Sequence, residues 1–192
     1  MVKKQFYRLV SCLTLIVFMF GLTFSYIAPA SASSTPFPDV KYGEWYYQYI
    51  LKMNLREVIA GYTDGTFKPN NAVSQLEAVL MAVRNMEADA ELAQIDSNRT
   101  LPFEVPDWVQ RQTKKELLYA LDKGLIVSAE NDFEANKLAT RAWMTRLMVR
   151  MIGKDAEAAL NSNIASDFTD AADMPAWSKG YINTAVKYDL IS

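Results

Sequence analysis

Thr140-Arg141-Ala142-Trp143 is the segment whose residue types best suit ligand chemistry, because it joins a helix cap to an arginine. Threonine is a favoured N-cap residue, so Thr140 is predicted to start a helix. A cation in the first turn opposes the helix dipole by about 0.3–1 kcal/mol, so folding alone would favour an acidic or neutral residue at position 141. The free amides of a helix start attract an anion, and arginine adds a planar fork that matches a carboxylate. We therefore predict an anion-binding site at Thr140 and Arg141; the alternatives are a solvated Arg141 or one paired with a neighbouring acid.

Tryptophan rings offer a second chemistry, which is stacking on the face of a sugar. Trp143 is predicted to be a ligand-binding surface residue, because it occupies a position of the helix start where a polar cap residue is usual. Trp45, Trp108 and Trp177 have two interpretations, sugar stacking or packing in the core and between repeats, and packing is the more common role of such residues.

Catalysis, cofactors and metals are not expected. The chain has no histidine, so it lacks the commonest general base and zinc ligand, and its one cysteine is Cys12. No pair of carboxylates stands out as an acid and base. The segment Asp64-Gly65 supplies one carboxylate where a calcium loop needs several.

Residues 1–32 are predicted to be a secretory signal peptide. Three cations at the start, Lys3, Lys4 and Arg8, precede an apolar run over 9–26, and the A-x-A pattern of residues 30–32 follows. An uncleaved anchor is the alternative, because the apolar run approaches the length that spans a bilayer. Removal of the three cations changes the net charge from −2 to −5, which disfavours nucleic acid as a partner.

The remainder of the sequence is self-similar at a fixed period of about 66 residues, which is typical of a repeat architecture. Trp45 and Trp177 lie two such periods apart, and Ser74 falls on Thr140 after one period. We count two repeats and the first half of a third. Trp108 lies slightly early in the second repeat, so an insertion is needed there.

Each repeat is predicted to be helix, loop, helix, so the fold class is all-α. In the first repeat Gly61 is predicted to end the first helix by adopting positive φ, and Gly65 to form a turn with Asp64. The next helix has apolar residues at helical spacing, and Ser74 and Glu77 form a capping box at its start.

These segments resemble the S-layer homology family. The resemblance is carried by Phe-x-Asp-Val, a tryptophan, and the string from Ile59 to Asn70, followed by a helix start. The motif residues, which we expect to be structural, are Asp39, Trp45, Gly61, Asp64, Gly65, Phe67, Ser74 and Glu77. The resemblance implies a pseudo-threefold helical bundle that anchors exported proteins to secondary cell-wall polymers, often ones that bear a pyruvate ketal. It also implies that the arginine of the family's Thr-Arg-Ala-Glu helix start meets the acidic group of the polymer.

The expected organisation follows from this resemblance. After the signal peptide, repeat 1 covers 37–86, a linker 87–105, a degenerate repeat 2 covers 106–152, a helical linker 153–166, and the first half of repeat 3 covers 167–192. The departures from the family pattern are uneven: Gln75 stands where the first repeat should have arginine, and Trp143 stands where the second should have glutamate.

The resemblance implies a non-catalytic protein that binds an acidic secondary cell-wall polymer or a peptidoglycan-linked glycan. It implies a secreted protein in the cell wall or S-layer of a Gram-positive-type envelope. The alternative is a degenerate module that makes protein–protein contacts with other S-layer or envelope proteins. Purified polymer separates the two, because the alternative expects no polymer binding.

Export is expected to leave an N-terminus at Ser33 or within a few residues of it, because the small residues 30–32 suit signal peptidase. Intact-mass analysis of the secreted protein measures this. Recovery of the full-length chain from membranes would show that the apolar segment is an anchor.

Overall fold

Helices are the regular elements of the described chain, as the all-α prediction requires. The computed structural model describes residues 36–166 and 168–191, and the predicted signal peptide lies outside them. The α-helices of this part are α1 (Tyr47–Leu55), α2 (Gln75–Asn85), α3 (Asp89–Gln94), α4 (Asp107–Gln112), α5 (Lys114–Asp122), α6 (Arg141–Met151), α7 (Asp155–Leu160) and α8 (Lys179–Lys187). Short 3₁₀ turns cover Ser128–Glu130, Asn161–Asn163 and Ala176–Ser178.

The all-α prediction is confirmed. Within the described ranges the only β-type pairing recorded is an isolated antiparallel bridge between Ser74 and Leu138. The longest of these helices, α2 and α6, are far shorter than the roughly 20 residues needed to cross a bilayer, so none of the described helices could span one.

Corresponding helices recur at the sequence period. The helices α2 and α6 have equal lengths and start one period apart, and α3 and α7 are offset by the same period. The helices α1 and α8, each the first helix of its repeat, also have equal lengths, and they start two periods apart. In the middle of the chain two helices, α4 and α5, stand where α1 and α8 stand alone, which is where Trp108 disturbs the sequence period.

The first helix ends earlier than predicted. Gly61 does not end it: α1 stops at Leu55, and the residue at positive φ after it is Glu57, with φ 58°. The Glu57 amide donates to the Asn54 carbonyl, and the next amide donates to Met53. This is the Schellman arrangement, which satisfies the last carbonyls of a helix. The sequence misled because glycine is the usual residue at that position, whereas here a glutamate accepts the left-handed conformation.

Gly61 instead closes the loop of the first repeat. It has φ 71°, and a Cβ there would meet the ring of Phe37 and lie 2.7 Å from the Thr66 carbonyl oxygen. The predicted turn is confirmed, since the Gly65 amide donates to the Tyr62 carbonyl and Gly65 has φ 79°.

The Asp39 side chain anchors this loop through two hydrogen bonds. Its two carboxylate oxygens accept the amides of Phe67 and Lys68 at 2.9 and 2.6 Å. The hydrogen bond from Phe67 is the largest cause that lowers the pKa of Asp39. Phe67 in turn packs against Phe37, with ring centroids 5.4 Å apart, so the aspartate positions a core side chain.

The main core lies between α2, α5 and α6. The helix α2 packs against both α5 and α6, and all three helices bury apolar side chains there. The buried side chains include Leu76, Val79, Val83, Leu117, Tyr119, Ala120, Trp143 and Leu147. The predicted apolar stripe of α2 is therefore confirmed as a core face.

Two buried arginines on α6 connect this helix to residues of repeat 2, of the linker after it and of the half repeat 3. Arg150 donates to Glu130, to Asp155 at 2.7 Å and to the Tyr181 hydroxyl at 3.2 Å. Arg146, one turn earlier, pairs with Glu130 and Asp132, and its guanidinium lies 4.5 Å from the centroid of the Trp177 ring. Because these charges are desolvated, their carboxylate partners are required to keep them inside the protein.

Gly61→Ala should destabilise the protein more than Gly65→Ala. Both changes put a Cβ at positive φ, at about 1 kcal/mol, but only Gly61 also faces a crowded space, which adds about 1–3 kcal/mol. Denaturant unfolding of the two variants measures the difference. Equal losses would show that the contact between Gly61 and Phe37 is not close.

Arg150→Met should lower the free energy of unfolding by about 2 kcal/mol, because Glu130 and Asp155 lose charge-assisted hydrogen bonds from a buried guanidinium. Arg99→Met is the matched control, since the ion pair of Arg99 with Asp122 is exposed and should contribute about 1 kcal/mol or less. A loss of equal size in both variants would contradict a structural role for the buried pair.

The same cluster predicts a pH effect. Burial acts to raise the pKa of Asp155, but hydrogen bonds from Arg150 and Tyr181 outweigh it and lower that pKa below its usual value. A lowered folded pKa stabilises the protein above the unfolded pKa of about 4, and this contribution is lost as the pH falls further. Wild-type stability should therefore fall below pH 4 more steeply than that of Arg150→Met, and parallel curves would refute the coupling.

Candidate anion-binding site

The start of α6 has the cap that the sequence predicted. Thr140 has extended backbone angles, and its Oγ1 accepts the amide of Trp143 at 3.2 Å. The Thr140 carbonyl accepts the amide of Met144. One turn of α6 is further held by Thr145, whose hydroxyl donates to the Arg141 carbonyl at 2.8 Å. These hydrogen bonds fix the geometry of the first turn without a ligand.

Two amides of this first turn remain open. Among the residues that the structure describes, the amides of Arg141 and Ala142 have no hydrogen-bond acceptor. The Arg141 side chain is exposed and forms no ion pair with any carboxylate in the described ranges. Unsatisfied amides at a helix start carry partial positive charge, so this place combines two donors with a free guanidinium.

A cleft of about 190 Å³ opens beside Arg141, between α6 and the segment that leads into α8. Its lining is mostly apolar, with two acids. The lining residues are Arg141, Ala142, Thr145, Phe168, Asp170, Asp173, Met174, Pro175, Ile182 and Ile191. The two aspartates add negative charge to the cleft, so it suits a single acidic group with an apolar neighbour better than a dense polyanion.

The start of α2 has the same backbone geometry and a different chemistry. Ser74 accepts the Glu77 amide and Glu77 accepts the Ser74 amide, so the predicted capping box is confirmed. The amides of Gln75 and Leu76 donate to the carbonyls of Lys137 and Ala135, at 2.7 and 3.3 Å. Residues of the second repeat thus accept the first two amides of α2. The counterparts of these amides at the start of α6 have no acceptor among the described residues.

Gln75 occupies the position of Arg141 and is a structural residue. It is 2% exposed, and its Oε1 accepts the amide of Glu134 at 2.8 Å. Sequence reasoning treated Gln75 only as an uncharged residue. Its replacement would leave a buried amide unpaired, at about 1–3 kcal/mol, so a variant at this position tests folding rather than binding.

The prediction that Trp143 is a surface ligand-binding residue is wrong. Trp143 is 5% exposed and belongs to the core between α2, α5 and α6. Within the described residues its Nε1 has no hydrogen-bond partner. The third position of α6 faces inward together with Leu147, one turn later, and the large indole fills that space instead of capping the helix.

The other tryptophans are more exposed than core packing implies. Trp45 is 80% exposed, and Trp108 and Trp177 are both 45% exposed. Packing in the core is therefore the wrong expectation for Trp45. Trp177 keeps a packing role, because it stacks on the guanidinium of Arg146.

Sequence reasoning missed Arg146 and Arg150 altogether. Their spacing of four residues places both on one helix face, and that face carries apolar residues elsewhere in α6, which was the available signal. Across the described ranges no cluster of three or more histidine, cysteine or acidic side chains is placed to hold a metal ion.

Comparison with known proteins places the first repeat in a family. The S-layer homology domain model matches residues 36–79. An endoglucanase of Bacillus sp. (strain KSM-635) is 30% identical over 150 residues, which cover 77% of this chain and 15% of that protein. The outer membrane protein alpha of Thermotoga maritima is 32% identical over 77 residues, which cover 35% of this chain and 19% of that protein.

The chain thus spans less than a fifth of the length of either curated relative. S-layer homology domains are non-catalytic modules that associate exported proteins with the cell surface. The resemblance that the loop and helix-start motifs indicate is confirmed by the matched segment. Residues 36–79 of the chain are thus identified as an S-layer homology domain.

Proposed function

We propose that this chain attaches an exported protein to the cell wall by binding an acidic secondary cell-wall polymer, without catalysis. The observation that carries the proposal is the start of α6, where the amides of Arg141 and Ala142 and the Arg141 guanidinium have no partner among the described residues. Thr140 orients that turn through its hydrogen bond to the Trp143 amide. A carboxylate placed there accepts backbone donors and the planar fork of arginine together.

A pyruvate ketal is the acidic group that suits the cleft best. It carries one carboxylate and one methyl group on the same carbon. The carboxylate would meet Arg141, while Phe168, Met174 and Ile182 offer apolar surface to the methyl group. The cleft volume of about 190 Å³ is below the roughly 300 Å³ of typical drug-sized sites, so a terminal group fits better than a length of polymer.

The polymer is expected at one place in the described chain. The corresponding start of α2 has its amides occupied and presents buried Gln75 instead of a cation. Attachment through one charge-assisted contact is weaker than multivalent attachment, since a second linked site multiplies affinity without any new contact. A Gram-positive-type wall is part of this proposal, and the Bacillus endoglucanase supports it.

Protein–protein contact within the envelope is the second candidate function. The exposed ring of Trp45 favours it, because a large aromatic side chain that is 80% exposed is typical of a surface that contacts another protein. The two functions use different parts of the chain and are compatible.

Arg141→Ala should weaken binding to purified acidic wall polymer by about tenfold or more, since a charge-assisted hydrogen bond contributes about 1.5–3 kcal/mol. Its melting temperature should stay equal or rise slightly, because a cation at a helix start opposes the dipole. Arg111→Ala is the matched control, as Arg111 is an exposed arginine of α4 outside the cleft.

Titration calorimetry of wild type and both variants, with melting curves alongside, tests the proposal. Undiminished binding by folded Arg141→Ala would refute the site. Equal losses in both variants would show that the polymer responds to general charge. Absence of binding by wild type would refute polymer attachment and favour the protein-contact function.

A further inference from the structure

The loop between α3 and α4 contains a run of exposed residues over 96–100. Both flanks of this run are fixed, because the half-buried side chains of Ile95 and Leu101 pack against the main core. Arg99 anchors its middle, since the guanidinium donates two hydrogen bonds of 2.7 Å to the Asp122 carboxylate on α5. The loop is therefore a surface turn with a defined attachment to the core and to α5.

This exposed turn carries the sequence Asn98-Arg99-Thr100, which is the only Asn-x-Ser or Asn-x-Thr sequence of the chain. That pattern, with any residue except proline in the middle, is the acceptor for N-linked glycans in the surface loops of exported proteins. The side-chain amide of Asn98 and the hydroxyl of Thr100 have no hydrogen-bond partner among the described residues. The two groups that a glycosyltransferase has to reach are thus exposed and without competing contacts.

The backbone of the turn keeps the Asn98 side chain available. The Oδ1 atom of Asp96 accepts the backbone amide of Asn98 at 2.9 Å, so the donor of the main chain is satisfied locally. Other asparagines have structural roles instead: the side-chain amides of Asn54 and Asn183 donate to backbone carbonyls. Modification of Asn98 would therefore break no hydrogen bond of its side chain within the described chain.

We propose that Asn98 is an N-glycosylation site of the exported chain. The donor is an oligosaccharide linked to a polyprenyl diphosphate, and a membrane transferase of the host catalyses the transfer. The Asn98 side-chain nitrogen attacks the anomeric carbon of the first sugar. A carbon–nitrogen bond forms, the bond from that carbon to the diphosphate oxygen breaks, and one amide proton passes to a base of the transferase. Polyprenyl diphosphate leaves, and nothing is oxidised or reduced.

The proposal requires export of the chain and is independent of polymer binding. The modified residue lies in the linker over 87–105, so the glycan would replace no packed side chain of either repeat. A glycan is bulky and hydrophilic, and it would add such a group to the surface between α3 and α4.

The test uses the full chain as the bacterium that encodes it secretes it. Cleavage after glutamate releases residues 92–104 as one peptide, in which Asn98 is the only asparagine. Mass spectrometry with electron-transfer fragmentation locates any added sugar on this peptide. We expect the sugar on Asn98. The changes Asn98→Gln and Thr100→Ala should abolish it, whereas Thr100→Ser should retain it, because serine supplies the same hydroxyl.

Asn136 is the matched control within the chain, because it is exposed but is not followed by the acceptor pattern. Unmodified Asn98 in the secreted wild-type chain would overturn the proposal, as would sugar on Ser97 or Thr100 in place of Asn98. Sugar that persists in Thr100→Ala, or that also appears on Asn136, would overturn it too, because the transfer would then ignore the sequence pattern. The variants should melt at the wild-type temperature, since these substitutions lie on an exposed turn.

Discussion

The antiparallel contact between residues 73–76 and 134–139 is the constraint on which the rest of the structure depends. Through it the carbonyls of Lys137 and Ala135 accept the first two amides of α2, and buried Gln75 accepts the amide of Glu134. The contact joins repeat 1 to repeat 2, and backbone carbonyls of repeat 2 accept the first amides of α2. The start of α6 keeps the same cap geometry without such a partner among the described residues. Two helices at equivalent places in the period therefore differ in chemistry: backbone carbonyls occupy the first amides of α2, whereas those of α6 have no acceptor in the part of the chain that the structure describes.

The three arginines of α6 divide in the same way. Arg146 and Arg150 are buried, and their positive charges are neutralised by the carboxylates of Glu130, Asp132 and Asp155. These ion pairs stabilise the packing of α6 against the half repeat 3. Burial tends to lower the pKa of Arg150, but its carboxylate partners raise that pKa above the usual value, so the charge is permanent. Arg141 has no such partner among the described residues. An anion arriving from solution would meet Arg141 as the available cation of the helix.

Local chemistry predicted much of this structure. The apolar spacing of α2, the caps Ser74 and Thr140, and the turn at Gly65 all depend on neighbours within a few residues, and all are found as expected. The errors concern contacts made across the fold. Trp143 is buried because α2 and α5 leave room for an indole at that position, and Gln75 is buried because a distant loop donates to it. A sequence shows the type of such residues but not the surface against which they will pack, and the two arginines inside α6 escaped notice for the same reason.

The central claim is that the open amides at the start of α6 bind a carboxylate while the occupied amides at the start of α2 do not. Amide chemical shifts of the isotope-labelled chain, titrated with a methyl glycoside that carries a pyruvate ketal, test it residue by residue. We predict saturable shifts for the amides of Arg141 and Ala142 and none for those of Gln75 and Leu76. Unmoved signals at Arg141 and Ala142, or equal shifts at both helix starts, would contradict it.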